Sequence, residues 1–94
     1  MNMDLTGKQA LVCGSTQGIG KAVALELAEL GANVILLARN EQSLQSVQSE
    51  LKVVGNQQHG YLVADFSHPA GLEKVVNDFV QSQDQPIHIL VNNT

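Results

Sequence analysis

Basic residues are scarce in this chain of 94 residues, which has five Lys and Arg against nine Asp and Glu and a net charge of -4. No run of basic residues occurs anywhere in the sequence. Proteins that bind DNA or RNA neutralise the phosphate backbone with clustered Lys and Arg. The charge pattern therefore excludes nucleic acid from the partners that we expect.

Cysteine and long apolar runs are also nearly absent. Cys13 is the single cysteine, so no disulfide can form within the chain, which fits a reducing compartment. The first residues have neither the basic nor the apolar region of a signal peptide. The longest apolar run, residues 34–38, is far too short to span a membrane. We therefore expect a cytoplasmic protein with no membrane partner.

The apolar pattern alternates between the periods of strands and helices. Strands are short, nearly continuous apolar runs, whereas helices show apolar residues at spacings of three and four. The predicted strands cover residues 9–13, 33–38, 59–63 and 87–91. The apolar stripes of the three predicted helices consist of Ile19, Val23, Leu27 and Leu30, then Leu44, Val47, Leu51 and Val54, and then Leu72, Val75, Val76, Phe79 and Val80.

This βαβαβαβ order predicts the α/β class, with a Rossmann-like, doubly wound parallel sheet that has helices on both faces. A complete dinucleotide-binding fold has six strands in two halves. The pattern here stops after the fourth strand. We therefore expect residues 1–94 to form the dinucleotide-binding N-terminal part of a single Rossmann domain, truncated after that strand.

Capping residues mark the ends of the predicted helices. Gly31 follows the first helix, where a glycine is common. Asn40 is a good N-cap for the second helix, which the pattern ends at residues 55–56. Ser67 can cap the third helix, with Pro69 in the first turn, where a missing N–H costs nothing.

A glycine-rich loop joins the first strand to the first helix. Glycines allow a sharp turn and a close approach of ligand to backbone, and the helix N-terminus presents free N–H groups to a pyrophosphate. The first helical turn has no Asp or Glu that would compete with a bound anion. The alternative is that the glycines serve only tight packing of strand and helix. The predicted cofactor-binding residues of this loop are Gly14, Ser15, Thr16, Gln17, Gly18, Ile19 and Gly20.

The end of the second strand indicates which dinucleotide binds. NAD-binding folds carry an acidic residue about 20 residues past the glycine loop, where it holds the ribose hydroxyls. Arg39 lies 19 residues after Gly20, and neither Arg39 nor Ala38 is acidic. An arginine pairs with a 2′-phosphate, whereas a carboxylate repels it. We therefore predict NADP(H) rather than NAD(H), with Ser15 and Thr16 as further donors; the alternative for Arg39 is a solvated surface charge.

Four markers in this order resemble the short-chain dehydrogenase/reductase family. They are Leu5-Thr6-Gly7-Lys8 before the first strand, the loop with its G-x-x-x-G-x-G spacing, Asp65 after the third strand and Asn92-Asn93 after the fourth. Within the family, the chain looks closest to 3-oxoacyl-acyl-carrier-protein reductases. Two positions depart from the family pattern: Cys13 stands where Thr is usual, and Thr94 stands where Ala is usual.

The resemblance implies roles for three residues beyond the glycine loop. It implies that the adenine lies beside Asp65 and Phe66, with the Asp65 carboxylate accepting a hydrogen bond from the exocyclic amine. Considered without the resemblance, Asp65 is better explained as a helix-capping residue. The resemblance also implies that Asn92 lines the cofactor site, and a purely structural role in the sheet is the alternative.

The resemblance further implies an oxidoreductase that reduces a small carbonyl compound or oxidises an alcohol by hydride transfer, working as a homo-oligomer. The family's catalytic Ser, Tyr and Lys lie beyond the fourth strand. Tyr61 has Asp65 rather than Lys four residues later, so we expect no catalytic residue in this chain. One alternative is a non-catalytic NADP(H)-binding module. Another is an S-adenosylmethionine-dependent methyltransferase, against which Arg39 argues because an acidic residue is usual there.

Histidine and cysteine predict no metal site. His59, His68 and His88 lack metal-ligand spacing, and one cysteine cannot complete a zinc site. Cys13 ends a buried strand and is expected to behave as a small apolar residue. A reactive thiol is the alternative, because a neighbouring helix N-terminus lowers the pKa of a thiol.

Overall fold

The computed structural model of the chain describes residues 4–93, so Thr94 lies outside the described residues. The predicted βαβαβαβ order is confirmed within this range. None of the helices in residues 4–93 is long and apolar enough to cross a membrane. The strands are β1 (Gln9–Cys13), β2 (Asn33–Ala38), β3 (Gly60–Val63) and β4 (Ile89–Asn92), and the helices are α1 (Gly18–Glu29), α2 (Glu41–Glu50) and α3 (Pro69–Ser82).

The four strands of the described chain form one parallel sheet in the order β3-β2-β1-β4. Strand β1 pairs with β2 through partners such as Val12 and Leu36, and with β4 through partners such as Val12 and Val91. The chain therefore builds outward from β1 in one direction and then returns to its other side. Ligands of open parallel sheets bind at such a reversal, beyond the carboxyl ends of the strands.

Both faces of the sheet are covered by helices, which confirms the predicted α/β class. The first face packs against α1 and α2, and its core includes Val12, Leu36 and Leu44, each fully buried or nearly so. The second face packs against α3 through side chains such as Leu37 and Phe79. Alternate residues of a strand point to opposite faces, so central strands covered on both sides are apolar along nearly their whole length, here after the first residue of β1 and of β2.

The predicted inner face of α1 is wrong in its main contacts, although Leu27 of the predicted stripe is half-buried and packs against the core. Its buried residues are Gly20, Ala24 and Ala28, while Ile19 is 74% exposed. These small residues recur every four positions and therefore lie on one side of the helix. Large apolar side chains there would hold α1 away from the sheet, whereas small ones allow close contact with β1 and β2.

The ends of α2 differ in how well the sequence predicts them. Asn40 caps its start as predicted, because its side-chain Oδ1 accepts a hydrogen bond from the Ser43 N–H at 3.0 Å. The helix ends at Glu50 rather than at residues 55–56, since Leu51 already has an extended backbone with ψ of 132°. Val54 consequently lies outside the helix and is exposed.

The starts of α3 and β4 also differ from prediction. The N-cap of α3 is His68, and no side chain in the described part of the chain forms a capping hydrogen bond there. The Ser67 hydroxyl donates instead to Asp65, and Pro69 occupies the first turn as predicted. Strand β4 begins at Ile89, two residues later than predicted, although the His88 N–H still donates to the Gln9 carbonyl of β1 at 2.9 Å.

Candidate functional site

A shallow cleft of about 440 Å³ lies at the carboxyl end of the sheet. It brings together the residues that follow all four strands, which are separated by up to 79 positions in sequence. This is the edge at which ligands of parallel sheets bind. The residues that line it are Gly14, Thr16, Gln17, Ala38, Arg39, Asp65, Phe66, Ser67 and Asn93.

Two glycines give the loop between β1 and α1 its shape. Gly14 has φ of +72°, and a Cβ atom there would collide with the carbonyl oxygen of Asn93. Gly20 lies in the first turn of α1, and a Cβ atom there would collide with the carbonyl oxygen of Gly14. Any side chain at either position would therefore displace the loop or the segment after β4.

Gly18 has a different role in the same loop. Its φ is +62°, which favours glycine, but no atom of residues 4–93 lies within 4 Å of the place where a Cβ atom would be. Gly18 is also the first residue of α1, whose first turn has no acidic residue. The helix N-terminus therefore has unpaired N–H groups and no neighbouring carboxylate in its own first turn, which suits an anion.

Ser15 lies at the centre of the loop and is fully buried. Its Oγ atom makes no hydrogen bond with any other group in residues 4–93. A buried hydroxyl without a partner costs free energy, so such a group calls for an explanation. The predicted loop residues thus include one polar atom that the fold itself leaves unsatisfied.

Asn93 is a contact residue that the sequence prediction missed. Its N–H donates to the Cys13 carbonyl at 3.1 Å, and its side-chain Nδ2 donates to the Gly14 carbonyl at 3.5 Å. The predicted residue, Asn92, is the last residue of β4 and is exposed outside the cleft lining. The Asn-Asn pair signalled this position, but only the strand register shows which of the two amides faces the loop.

Asp65 and Phe66 both line the cleft, after β3. One carboxylate oxygen of Asp65 accepts from the Ser67 hydroxyl at 2.7 Å and from the Ser67 N–H at 2.9 Å. These bonds, with smaller contributions from His68 and Arg39, hold the pKa of Asp65 below its usual value. Asp65 therefore forms a local turn before α3 and is not its N-cap, and its second carboxylate oxygen accepts no hydrogen bond within the described residues.

Arg39 is the one basic residue in the cleft lining. Within residues 4–93 its guanidinium has no carboxylate at ion-pair distance, whereas Lys21, Lys52 and Lys74 are each paired with a glutamate or aspartate. The nearby Glu41 carboxylate accepts instead from the Tyr61 hydroxyl at 3.1 Å. Arg39 is exposed and therefore available to an anionic ligand.

Cys13, His59 and His88 have roles in packing and hydrogen bonding within the fold. Cys13 is 8% exposed, and burial raises the pKa of its thiol, which argues against the reactive-thiol alternative. The Nδ1 atoms of His59 and His88 accept from the N–H groups of Val34 and Gln9. Among the described residues, no group of three or more His, Cys, Asp or Glu side chains could hold a metal ion.

A larger groove of about 750 Å³ lies at the opposite side of the molecule. Thr6, Gly31 and Gln57 are among its lining residues, which belong to loops near the amino ends of the strands. Its polar groups largely serve the fold, since the Gln57 amide donates to the carbonyls of Ala28 and Ala32 at 2.9 and 2.8 Å. The smaller cleft is therefore the better candidate for a ligand site.

Comparison with known proteins agrees with this geometry. A family model described as short chain dehydrogenase matches residues 8–94. The chain belongs to the short-chain dehydrogenase/reductase family. The chain is 41% identical over 87 residues to the inactive hydroxysteroid dehydrogenase-like protein 1 of Pongo abelii. That alignment covers 93% of this chain and 26% of the relative. It is 43% identical over 97 residues to the uncharacterized oxidoreductase YvaG of Bacillus subtilis, covering 99% of this chain and 34% of the relative.

A solved reductase structure has the same fold. The L-sorbose reductase of Gluconobacter frateurii, complexed with NADPH and L-sorbose, aligns with a TM-score of 0.84 and 34% identity. The alignment covers 100% of this chain and 35% of that one. The chain thus spans about a quarter to a third of the length of the relatives it matches.

Proposed function

We propose that residues 1–94 are the dinucleotide-binding part of an NADP(H)-dependent short-chain oxidoreductase that interconverts a small carbonyl compound and an alcohol. The observation that carries this proposal is the exposed Arg39 guanidinium, which has no carboxylate partner within residues 4–93 and lies in a cleft beside the glycine loop. Ala38, before it, is apolar. This strand end suits a 2′-phosphate better than the free ribose hydroxyls of NAD(H).

The loop residues fit the phosphate part of the cofactor. Gly18 leaves open space at the N-terminus of α1, where the N–H groups would bind the pyrophosphate. The Thr16 side chain lines the cleft and would add a donor, whereas the Ser15 hydroxyl is fully buried and would donate only after a shift of the loop. The remaining predicted contacts in the loop are the backbones of Gly14, Gln17, Ile19 and Gly20.

The groups after β3 and β4 fit the other parts of the cofactor. We propose that the second carboxylate oxygen of Asp65, which lies 3.8 Å from Nε2 of His68, accepts from the adenine amine while Phe66 packs beside the ring. Asn93 would hold the loop in place through its bond to the Gly14 carbonyl. A contact between Asn92 and the cofactor stays a prediction from the family resemblance, since Asn92 lies outside the cleft lining. The bound cofactor supplies the hydride chemistry, and these residues bind and orient it.

Proton transfer needs groups that these residues do not provide. The hydroxyl of Tyr61 is bound to Glu41, and no lysine follows four residues later. We therefore propose catalytic turnover only for a protein of the relatives' length. In such a protein we expect a cytoplasmic homo-oligomer, and the likeness to 3-oxoacyl-acyl-carrier-protein reductases remains a prediction, since the relatives described above have other names.

A non-catalytic NADP(H)-binding protein is the second candidate. The Pongo abelii relative, at 41% identity, is named inactive, which favours this reading. Both candidates share the cofactor site and differ only in turnover. The methyltransferase alternative has no such support, because the family match is to short chain dehydrogenase.

Titration of the chain with NADPH and NADH tests the proposed site. Arg39→Asp should weaken NADPH binding by about 10- to 100-fold, because it loses a charge-assisted pair and adds a like charge beside the 2′-phosphate. NADH binding should change little. Measuring the fluorescence of the bound reduced cofactor gives both dissociation constants.

Lys8→Asp is the matched control for that substitution. It makes the same change of charge at the amino end of β1, away from the cleft, so it should alter both affinities equally and slightly. An Arg39→Asp variant with an unchanged preference for NADPH would overturn the cofactor assignment.

A further inference from the structure

A hydrogen-bonded chain of three side chains ties the start of α2 to strand β3. The Tyr61 hydroxyl donates to Oε2 of Glu41 at 3.1 Å, and the Gln45 amide donates to the same hydroxyl at 3.0 Å. Glu41 and Gln45 lie four residues apart and therefore on one side of the helix. The tyrosine thus holds the carboxylate nearest in sequence to Arg39.

Glu41 lies only two residues after Arg39, so its carboxylate could compete with a ligand for the Arg39 guanidinium. Two residues span at most about 7 Å between Cα atoms, so an unrestrained glutamate could reach the guanidinium. In the structure Arg39 lines the cleft and Glu41 does not. Glu41 lies on the side of α2 that faces β3, where its carboxylate accepts a hydrogen bond from the Tyr61 hydroxyl.

We propose that Tyr61 is a positioning residue for cofactor choice, which keeps the Glu41 carboxylate away from the 2′-phosphate site at Arg39. The inference rests on the proposed NADP(H) function. A released Glu41 would pair with Arg39 and repel the 2′-phosphate, whereas NADH has no phosphate there to repel. The preference for NADPH would then fall without any change in the residues that touch the cofactor.

Tyr61→Phe in the full chain tests this role. The variant keeps the ring that packs on the core but loses the hydroxyl. The ratio of the NADH to the NADPH dissociation constant should fall about three- to fivefold, as expected for one charge moved to within several ångströms of another in a solvated site. The fall should shrink as the salt concentration rises, because the added repulsion is screened.

Rescue by a second substitution separates charge from damage to the fold. In the Tyr61→Phe/Glu41→Gln double variant no carboxylate remains to be released, so the wild-type ratio should return. Gln48→Ala is the matched control, because Gln48 also joins α2 to the chain at the start of β3, by donating to the carbonyl of the preceding residue, His59, at 2.9 Å, but carries no charge. Its ratio should equal that of the wild type.

Glu41→Asp tests the same idea with Tyr61 intact. Its shorter side chain cannot keep the bond to the hydroxyl, so the charge is released and the ratio should fall as in Tyr61→Phe. Equal ratios in the wild type, Tyr61→Phe and Glu41→Asp would overturn the role of Tyr61 while leaving the cofactor proposal standing. A wild-type chain with no preference for NADPH would instead contradict the proposed function itself.

Discussion

The two ends of the parallel strands use their polar groups differently. At the amino ends, side chains and backbone satisfy one another: His88 and His59 accept from N–H groups near the starts of β1 and β2, and Gln57 donates to two carbonyls at and just after the end of α1. At the carboxyl ends, the guanidinium of Arg39 and the hydroxyl of Ser15 have no such partner within residues 4–93.

This difference in hydrogen bonding indicates at which end of the strands a ligand binds. Polar groups that the fold already pairs contribute to stability, and competing for them costs free energy. Groups that the fold leaves unpaired bind a ligand without that cost. One amino-end atom departs from the rule, since Nε2 of Gln9 is buried without a partner in the described chain.

The largest effect is expected from a substitution that disrupts the glycine loop at the carboxyl ends of the strands. Gly14→Ala places a methyl group against the Asn93 carbonyl at a positive φ, so it should destabilise the fold by more than about 3 kcal/mol and abolish NADPH binding. Thermal unfolding followed by circular dichroism measures the first effect. Gly18→Ala is the matched control, which has a similar φ but open space and should cost only about 1–2 kcal/mol. Equal losses in the two variants would contradict the role given to Asn93.

The next largest effect is expected from a substitution that removes hydrogen bonds at the amino ends of the strands and leaves the cleft at the carboxyl ends unchanged. His59→Ala removes the acceptor of the buried Val34 N–H and the donor to the Lys52 carbonyl, so unfolding should become easier by about 1–3 kcal/mol. The affinity of the folded fraction for NADPH should not change. Urea denaturation, with and without NADPH, separates the two quantities.

His59→Asn sharpens that test, since its side-chain oxygen can take the place of Nδ1 as an acceptor. It should recover part of the lost stability. A His59→Ala variant that binds NADPH much more weakly when fully folded would show that the two ends are not independent.

The sequence predicts the features of this molecule that depend on local pattern. The order of elements, the Asn40 cap and the glycine loop are each encoded within a few residues, and the structure confirms their placement. The inner face of α1 could not be read in this way. Its apolar stripe suggested Ile19, but the closeness of the helix to the sheet selects Gly20 and Ala24.

Features that depend on pairing between distant segments were also missed. Asn93 meets Gly14 across 79 positions, which follows only from the register of β4 on β1. The bond between Tyr61 and Glu41 spans 20 positions and needs the packing of α2 against β3. Ser67 was predicted as a helix cap because a serine suits that role, but the nearby Asp65 carboxylate competes for its hydroxyl.

An NMR titration of the labelled chain with NADPH tests most directly that the unpaired groups at the carboxyl end form the binding site. Backbone amide signals of residues 14–20, Arg39 and Asp65 should shift and saturate together, while those of Gln9, Val34 and His59 at the amino ends should stay in place. NADH at the same concentration should move the Arg39 signal less. Shifts centred on the amino-end residues, or none at any NADPH concentration, would contradict the account.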